Sequence, residues 1–178
     1  MRRLLPCLLV VVAALAGCSR RRFTAPGTDF VQPHYADGAE GLKQMWTDIL
    51  DAAKKDDRAQ IHDLLATTLL TDAEMQTLFG PKTDALLPRY HQLMGTLINR
   101  GAVEIAGNVY EHKYDAVDAF ADDSDTTLQA AMVGTHPLFG ARVRKATESR
   151  GLRYDAFLYL DGRWKTLNQL GKFVDVVK

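Results

Sequence analysis

The side chains with most chemistry to offer lie together at Tyr110, His112, Tyr114 and Asp115. A histidine beside phenols and a carboxylate could act as a general base in a pocket that holds it against a substrate. The remaining histidines, His34, His62, His91 and His136, are scattered and form no paired-histidine zinc motif. Asp122, Asp123 and Asp125 are close enough to touch a cation. They lack the Asp-x-Asp-x-Asp-Gly pattern and the distal Glu of a calcium loop, and read as a solvated acidic loop. No Gly-x-Ser-x-Gly, Walker loop or Gly-x-Gly-x-x-Gly occurs. The sequence thus predicts no resident metal or cofactor. Catalysis enters only as a second reading, with His112, Tyr110 and Asp115 in a sheet-lined pocket.

These residues need elements to position them, and the apolar periodicity supplies the candidates. Leu42, Met45, Trp46, Ile49, Leu50 and Ala53 form one helical stripe. Asp57 suits the N-cap of a short second helix carrying Ile61, Leu64 and Leu65. Thr71-Asp72-Ala73-Glu74 is a capping box opening a third helix, which Gly80-Pro81 closes. A fourth is expected from about Asp84 to Asn99, stopped by Gly101.

Past Gly101 the period appears as two, predicting strands over 103–109 and 110–114, then an exposed acidic loop over 115–125. Further strands are expected at Thr127–Val133, Leu138–Ala146, Leu152–Leu160 and Arg163–Leu167, followed by a tail in which Leu170 and Phe173 can dock back. Asp161-Gly162 is the clearest hairpin turn. Helices first and a meander afterwards make an α+β layout. The expectation is three to four N-terminal helices packed on one face of a curved antiparallel meander of about five strands. No βαβ unit occurs, which excludes a doubly wound nucleotide-binding sheet.

The turns also set which residues share a sheet face. The Asp161-Gly162 turn pairs Tyr159 with Trp164 and Phe157 with Thr166. A four-residue loop at Glu148–Gly151 would pair Val143 with Ala156. Phe139, Ala141, Val143, Ala156, Leu158 and Leu160 then meet the helices. Arg142, Arg144, Asp155, Phe157, Tyr159 and Trp164 share the opposite face, a mix of cations and aromatics enriched at interfaces. That face is the expected binding surface for an envelope protein, a second copy of the chain or the chain's own tail.

The N-terminal segment carries the location. Met1-Arg2-Arg3 is a basic head, Leu4 to Ala16 is apolar apart from Pro6, and Leu15-Ala16-Gly17-Cys18 follows. This is the layout of a secretory signal, too short to span a bilayer. Leu15-Ala16-Gly17-Cys18 resembles the lipobox of bacterial lipoproteins. The resemblance implies removal of residues 1–17 and lipidation of Cys18. Ser19 after the cysteine resembles the sorting pattern for the outer membrane. Residues 18–38 are then the lipidated cysteine and a polar tether, and 39–178 a single α+β domain. Cys7 would leave with the signal, so no disulfide is expected.

Composition fits a globular remainder, with 47% hydrophobic and 25% charged residues. Formal net charge is zero, and the part beyond Arg20-Arg21-Arg22 is mildly acidic, with 17 Lys and Arg against 22 acids. Nucleic acid is therefore not an expected partner. Ala52-Ala53-Lys54-Lys55-Asp56-Asp57 with Ile61, Leu64 and Leu65, and the meander ending in Tyr159, Asp161-Gly162 and Trp164, are similar to nuclear-transport-factor-like, cystatin-like α+β domains. That resemblance implies a helix-backed curved sheet forming a cone, used for binding, for structure or for catalysis. The expected function is a lipid-anchored, non-enzymatic binding or assembly accessory at the periplasmic face of the outer membrane. The partners are the membrane, through Cys18, and an envelope protein or a second copy.

Overall fold

The first helix is built on the predicted stripe. It spans Ala39–Lys54 (α1), with Leu42, Met45, Trp46, Ile49, Leu50 and Ala53 all buried. The structure is a computed structural model and describes residues 29–174. The Leu15–Cys18 motif, Ser19 and the three arginines at 20–22 lie outside the described residues. Asp57 caps α2 (Arg58–Thr67), accepting from the Gln60 N–H at 3.0 Å. Thr71 and Glu74 form the reciprocal capping box of α3 (Asp72–Phe79). A 3-10 turn at Gly80–Lys82 leads into α4 (Thr83–His112).

Helix α4 corrects the expected boundary. It runs unbroken for 30 residues, about 45 Å at 1.5 Å per residue, through the two strands expected over 103–114. Gly101 is not a stop. It is buried, and a Cβ there would sit 3.1 Å from the Leu65 side chain, so the glycine lets α2 and α4 approach. The helix ends at Lys113, which takes the left-handed conformation with φ of 55°.

Two further corrections follow. The expected acidic loop contains strand β1 (Ala116–Ala121), and the strand expected at Thr127–Val133 is helix α5 (Thr126–Ala131), capped by Asp125. Strands β2 (Phe139–Arg144), β3 (Gly151–Leu160) and β4 (Arg163–Thr166) complete an antiparallel meander in the order β1-β2-β3-β4. The sheet has four strands, not five. A last turn of helix, α6 (Gly171–Val174), returns the tail to the core through buried Leu170 and Val174. The fold is α+β, with the N-terminal helices packed against the sheet.

The β3–β4 hairpin keeps the predicted register, Tyr159 opposite Trp164 and Phe157 opposite Thr166, with positive φ at Asp161 and Gly162. Between β2 and β3 the pairing shifts. Arg144 faces Gly151 and Ala141 faces Tyr154, but Phe139 faces Phe157. Asp155 and Ala156 together oppose Gly140, a bulge with Ala156 at φ 59°. The connecting loop is also two residues longer than expected, but an even change preserves which residues share a face. The bulge adds one residue, and that reverses the face of everything after it.

Phe157 and Trp164 therefore turn inward. With Phe139, Ala141, Val143 and Tyr154 they pack on α1, α2 and the second half of α4. Ala156 and Leu158 turn to the other side. There they join a second cluster with Leu78 of α3, Leu86 and Tyr90 of α4, Leu128 of α5 and Leu170. Helix α4 is long enough to serve both clusters.

Candidate functional site

The residues expected to form one binding face are split by the bulge. Phe157 is 4% exposed and Trp164 2%, so neither is available to a partner. The Trp46 ring fills the helix-facing side of the sheet, stacked on Tyr154 at 4.1 Å between centroids and edge-on to Phe157 at 5.9 Å. The cone interior implied by the family resemblance is packed core here.

The aromatic half of the expected face instead holds the chain's own approach to α1. Trp164 Nε1 donates to the Ala36 carbonyl at 3.1 Å, and the Tyr159 hydroxyl donates to the Tyr35 carbonyl at 2.9 Å. The Tyr35 hydroxyl donates to Asp48 at 2.7 Å, and its ring is buried. Burial and the Asp48 carboxylate push the Tyr35 phenol well above its ordinary value, so it stays a neutral donor. Phe30 also packs on this core. The last part of the expected tether is thus a strap fixed to the domain.

Arg142 and Arg144 lie on the opposite face, and most of the charge there is matched. Arg144 donates to Asp118 at 2.9 Å and to the Lys145, Ala146 and Glu148 carbonyls at 3.0 Å, stapling the β2–β3 loop. Its hydrogen bond holds the Asp118 carboxyl below the usual range. Arg142 donates to the Ser149 carbonyl at 3.1 Å. The guanidinium carbons of Arg142 and Arg153 lie 5.7 and 5.0 Å from the Phe120 ring centroid. Arg153 also reaches buried Asp122 at 3.1 Å. Burial raises the Asp122 carboxyl, but hydrogen bonds from Ser124 and Arg153 outweigh it, and the net shift is downward. Three arginines face Asp118, Asp122 and Asp155, a self-neutralised surface.

The histidine constellation is divided: Tyr110 and Tyr114 line a groove, and His112 and Asp115 do not. His112 is exposed as the last residue of α4, its ring stacked on Tyr114 at 5.3 Å. Tyr110 is 76% exposed. Asp115 accepts from the Ala146 N–H at 2.6 Å and is committed to the β2–β3 loop. Tyr110 and His112 are in the last turn of α4 and Tyr114 and Asp115 lie just beyond it, so none of the four is on a strand. Of the acidic run, Asp122 pairs with Arg153 and Asp125 caps α5. Among the described residues no group of three or more His, Cys, Asp or Glu is placed to hold a metal ion. No helix among them is long and apolar enough to cross a membrane.

What the fold does build is a groove that takes in Tyr110 and Tyr114, with basic residues and a helical wall that the sequence did not signal. One wall is the end of α1, the turn after it and the start of α2, with Ala53, Lys54, Lys55, Asp56 and Arg58; the other is α4, with Ala106, Gly107, Val109 and Tyr110. Lys113 and Tyr114 close one end, and the volume is about 720 Å³. This is within the usual range for small-molecule sites. Four cations line it against one carboxylate, Asp56, which already accepts from Arg58 at 2.8 Å. Lys113 Nζ sits 4.1 Å from the Tyr110 ring centroid.

Two residues that line the groove carry a backbone cost. Gly107 is an exposed helical glycine, where alanine would be favoured by ~1 kcal/mol, and a Cβ there would meet nothing within 4 Å. Lys113 occupies the left-handed helix cap that glycine ordinarily takes. The available signals were an exposed Gly107 and a lysine at the helix end, readable only once α4 is seen to continue past Gly101. A second cleft of about 510 Å³ lies between α4 and β3, where Leu93, Leu97, Leu152, Tyr154 and Phe173 are interleaved with Arg89, Glu104, Asn108 and Arg153. No family model, no curated protein and no solved structure matches this chain.

Proposed function

We propose that this protein is a lipid-anchored accessory of the bacterial cell envelope that binds and does not catalyse. Acyl chains on Cys18 hold it at the periplasmic face of the outer membrane. The observation that carries the reading is the pairing of the Leu15-Ala16-Gly17-Cys18 motif with a strap that is fixed from Phe30 onward. Only the eleven residues Ser19 to Asp29 separate the cysteine from the strap, a reach of at most about 40 Å even fully extended. The domain would therefore work against the membrane surface. Arg20, Arg21 and Arg22 sit beside that surface and add ~1 kcal/mol each where headgroups are anionic. Binding is favoured over catalysis because His112, the candidate base, lies in the open at a helix end.

The test is intact mass of membrane-extracted protein, wild type beside Cys18→Ser, with membrane fractionation. The expected result is a mature chain starting at Cys18, carrying acyl mass, found with the outer membrane and lost from it in the variant. A wild-type chain without acyl mass, or one that keeps residues 1–17, overturns the reading.

A further inference from the structure

We propose that the groove between the end of α1 and the last turns of α4 is a binding site for an anionic lipid. One acyl chain lies along Ala53, Ala106 and Val109, and the phosphate sits among the cations at the rim. Three observations carry this. The floor is apolar, and the site's volume of about 720 Å³ suits a small amphiphile. The rim is cationic and partly unspent. Lys54 pairs with Asp51 at 3.2 Å and Arg58 with Asp56 at 2.8 Å, whereas Lys55 and Lys113 have no carboxylate partner among the described residues. Gly107 lines the groove, and a Cβ there would meet nothing within 4 Å, so a large side chain at this position has room to extend into the site.

The proposal does not depend on lipid at Cys18, and replacing that cysteine removes the protein's own acyl chains as a competing occupant.

The experiment is calorimetric titration of the full chain carrying Cys18→Ser. Dodecyl phosphate, kept monomeric, is compared with dodecyl maltoside, inorganic phosphate and hexaglutamate. Saturable one-to-one binding of dodecyl phosphate alone is expected. Gly107→Leu should abolish it while the thermal midpoint holds. Lys113→Gly removes a cation but places glycine where φ is positive; it should weaken binding about fivefold, the worth of one cation beside an anionic headgroup, with no loss of stability. Equal binding of dodecyl maltoside, displacement by phosphate or hexaglutamate, or full binding to folded Gly107→Leu would each overturn the assignment.

Discussion

Two helical glycines should respond in opposite directions to the same change. Gly41 is in the first turn of α1, and a Cβ there would lie 1.8 Å from the Ala36 carbonyl oxygen and 2.6 Å from its carbon. Both contacts are backbone, so the strap has to move. Moving it breaks three hydrogen bonds, from Trp164 to Ala36, from Tyr159 to Tyr35 and from Tyr35 to Asp48, at ~1 kcal/mol each. Exposing the Tyr35 ring adds ~2 kcal/mol, and better helix propensity returns at most ~1 kcal/mol. Gly41→Ala should therefore destabilise by about 2–4 kcal/mol, the lower figure applying where the strap shifts without peeling away. Gly107→Ala meets open space and should stabilise by ~1 kcal/mol. Urea unfolding followed by the fluorescence of buried Trp46 and Trp164 measures both, and chymotrypsin cleavage after Tyr35 reports the strap. A Gly41→Ala protein at least as stable as wild type, with Tyr35 equally protected, would refute the reasoning.

The ion pair between buried Lys165 and half-buried Glu74 supports two more predictions. The Lys165 side chain is 5% exposed, 3.0 Å from Glu74, and donates to the Leu69 carbonyl at 2.7 Å. Glu74→Gln strands that ammonium and should cost about 3–5 kcal/mol, whereas Lys165→Met leaves a carboxylate still bonded to the Thr71 N–H and should cost only ~1–2 kcal/mol. The double variant should then be more stable than Glu74→Gln alone in urea unfolding; additive losses would show that the two groups are not coupled. Burial raises the Glu74 carboxyl, but the Thr71 and Lys165 hydrogen bonds outweigh it and hold it below its ordinary range. A depressed carboxylate contributes stability above its unfolded value, and that stability is lost as pH falls through the folded value. The gap between wild type and Glu74→Gln should accordingly be full at neutral pH and shrink below the ordinary glutamate value of ~4.3. A gap independent of pH contradicts the pairing.

The helices were largely legible where capping and stripe agreed, as at Asp57 and at Thr71–Glu74. The α+β class and the Asp161-Gly162 hairpin were legible for similar local reasons. Helix α5 was missed although Asp125 caps it, because Thr126 and Thr127 carry strand propensity that the cap overrides. Strand β1 was hidden by the charge around it. Its Asp118 is answered by Arg144 from the neighbouring strand, a pairing only the fold provides. The bulge had no signal at all. Alanine at positive φ looks like any other alanine, yet that one extra residue buries Phe157 and Trp164 and parts them from Arg142 and Arg144.

The error at α4 explains why the groove was invisible. Ile98, Ala102, Ile105, Ala106 and Val109 are buried at helical spacing across Gly101, so the period never changes. A reading that weighs Val103 and Ile105 but discounts the alanines sees alternation instead. With the helix stopped at Asn99, Gly107 becomes a strand bulge and Tyr110 and Lys113 fall on a sheet. With it continued, Gly107 and Tyr110 line one wall and Lys113 closes one end, opposite Lys54 and Lys55 at the end of α1 and Arg58 at the start of α2. A site assembled from two segments some fifty positions apart depends on the one helix that spans the gap. Its chemistry could not be read until that helix was read whole.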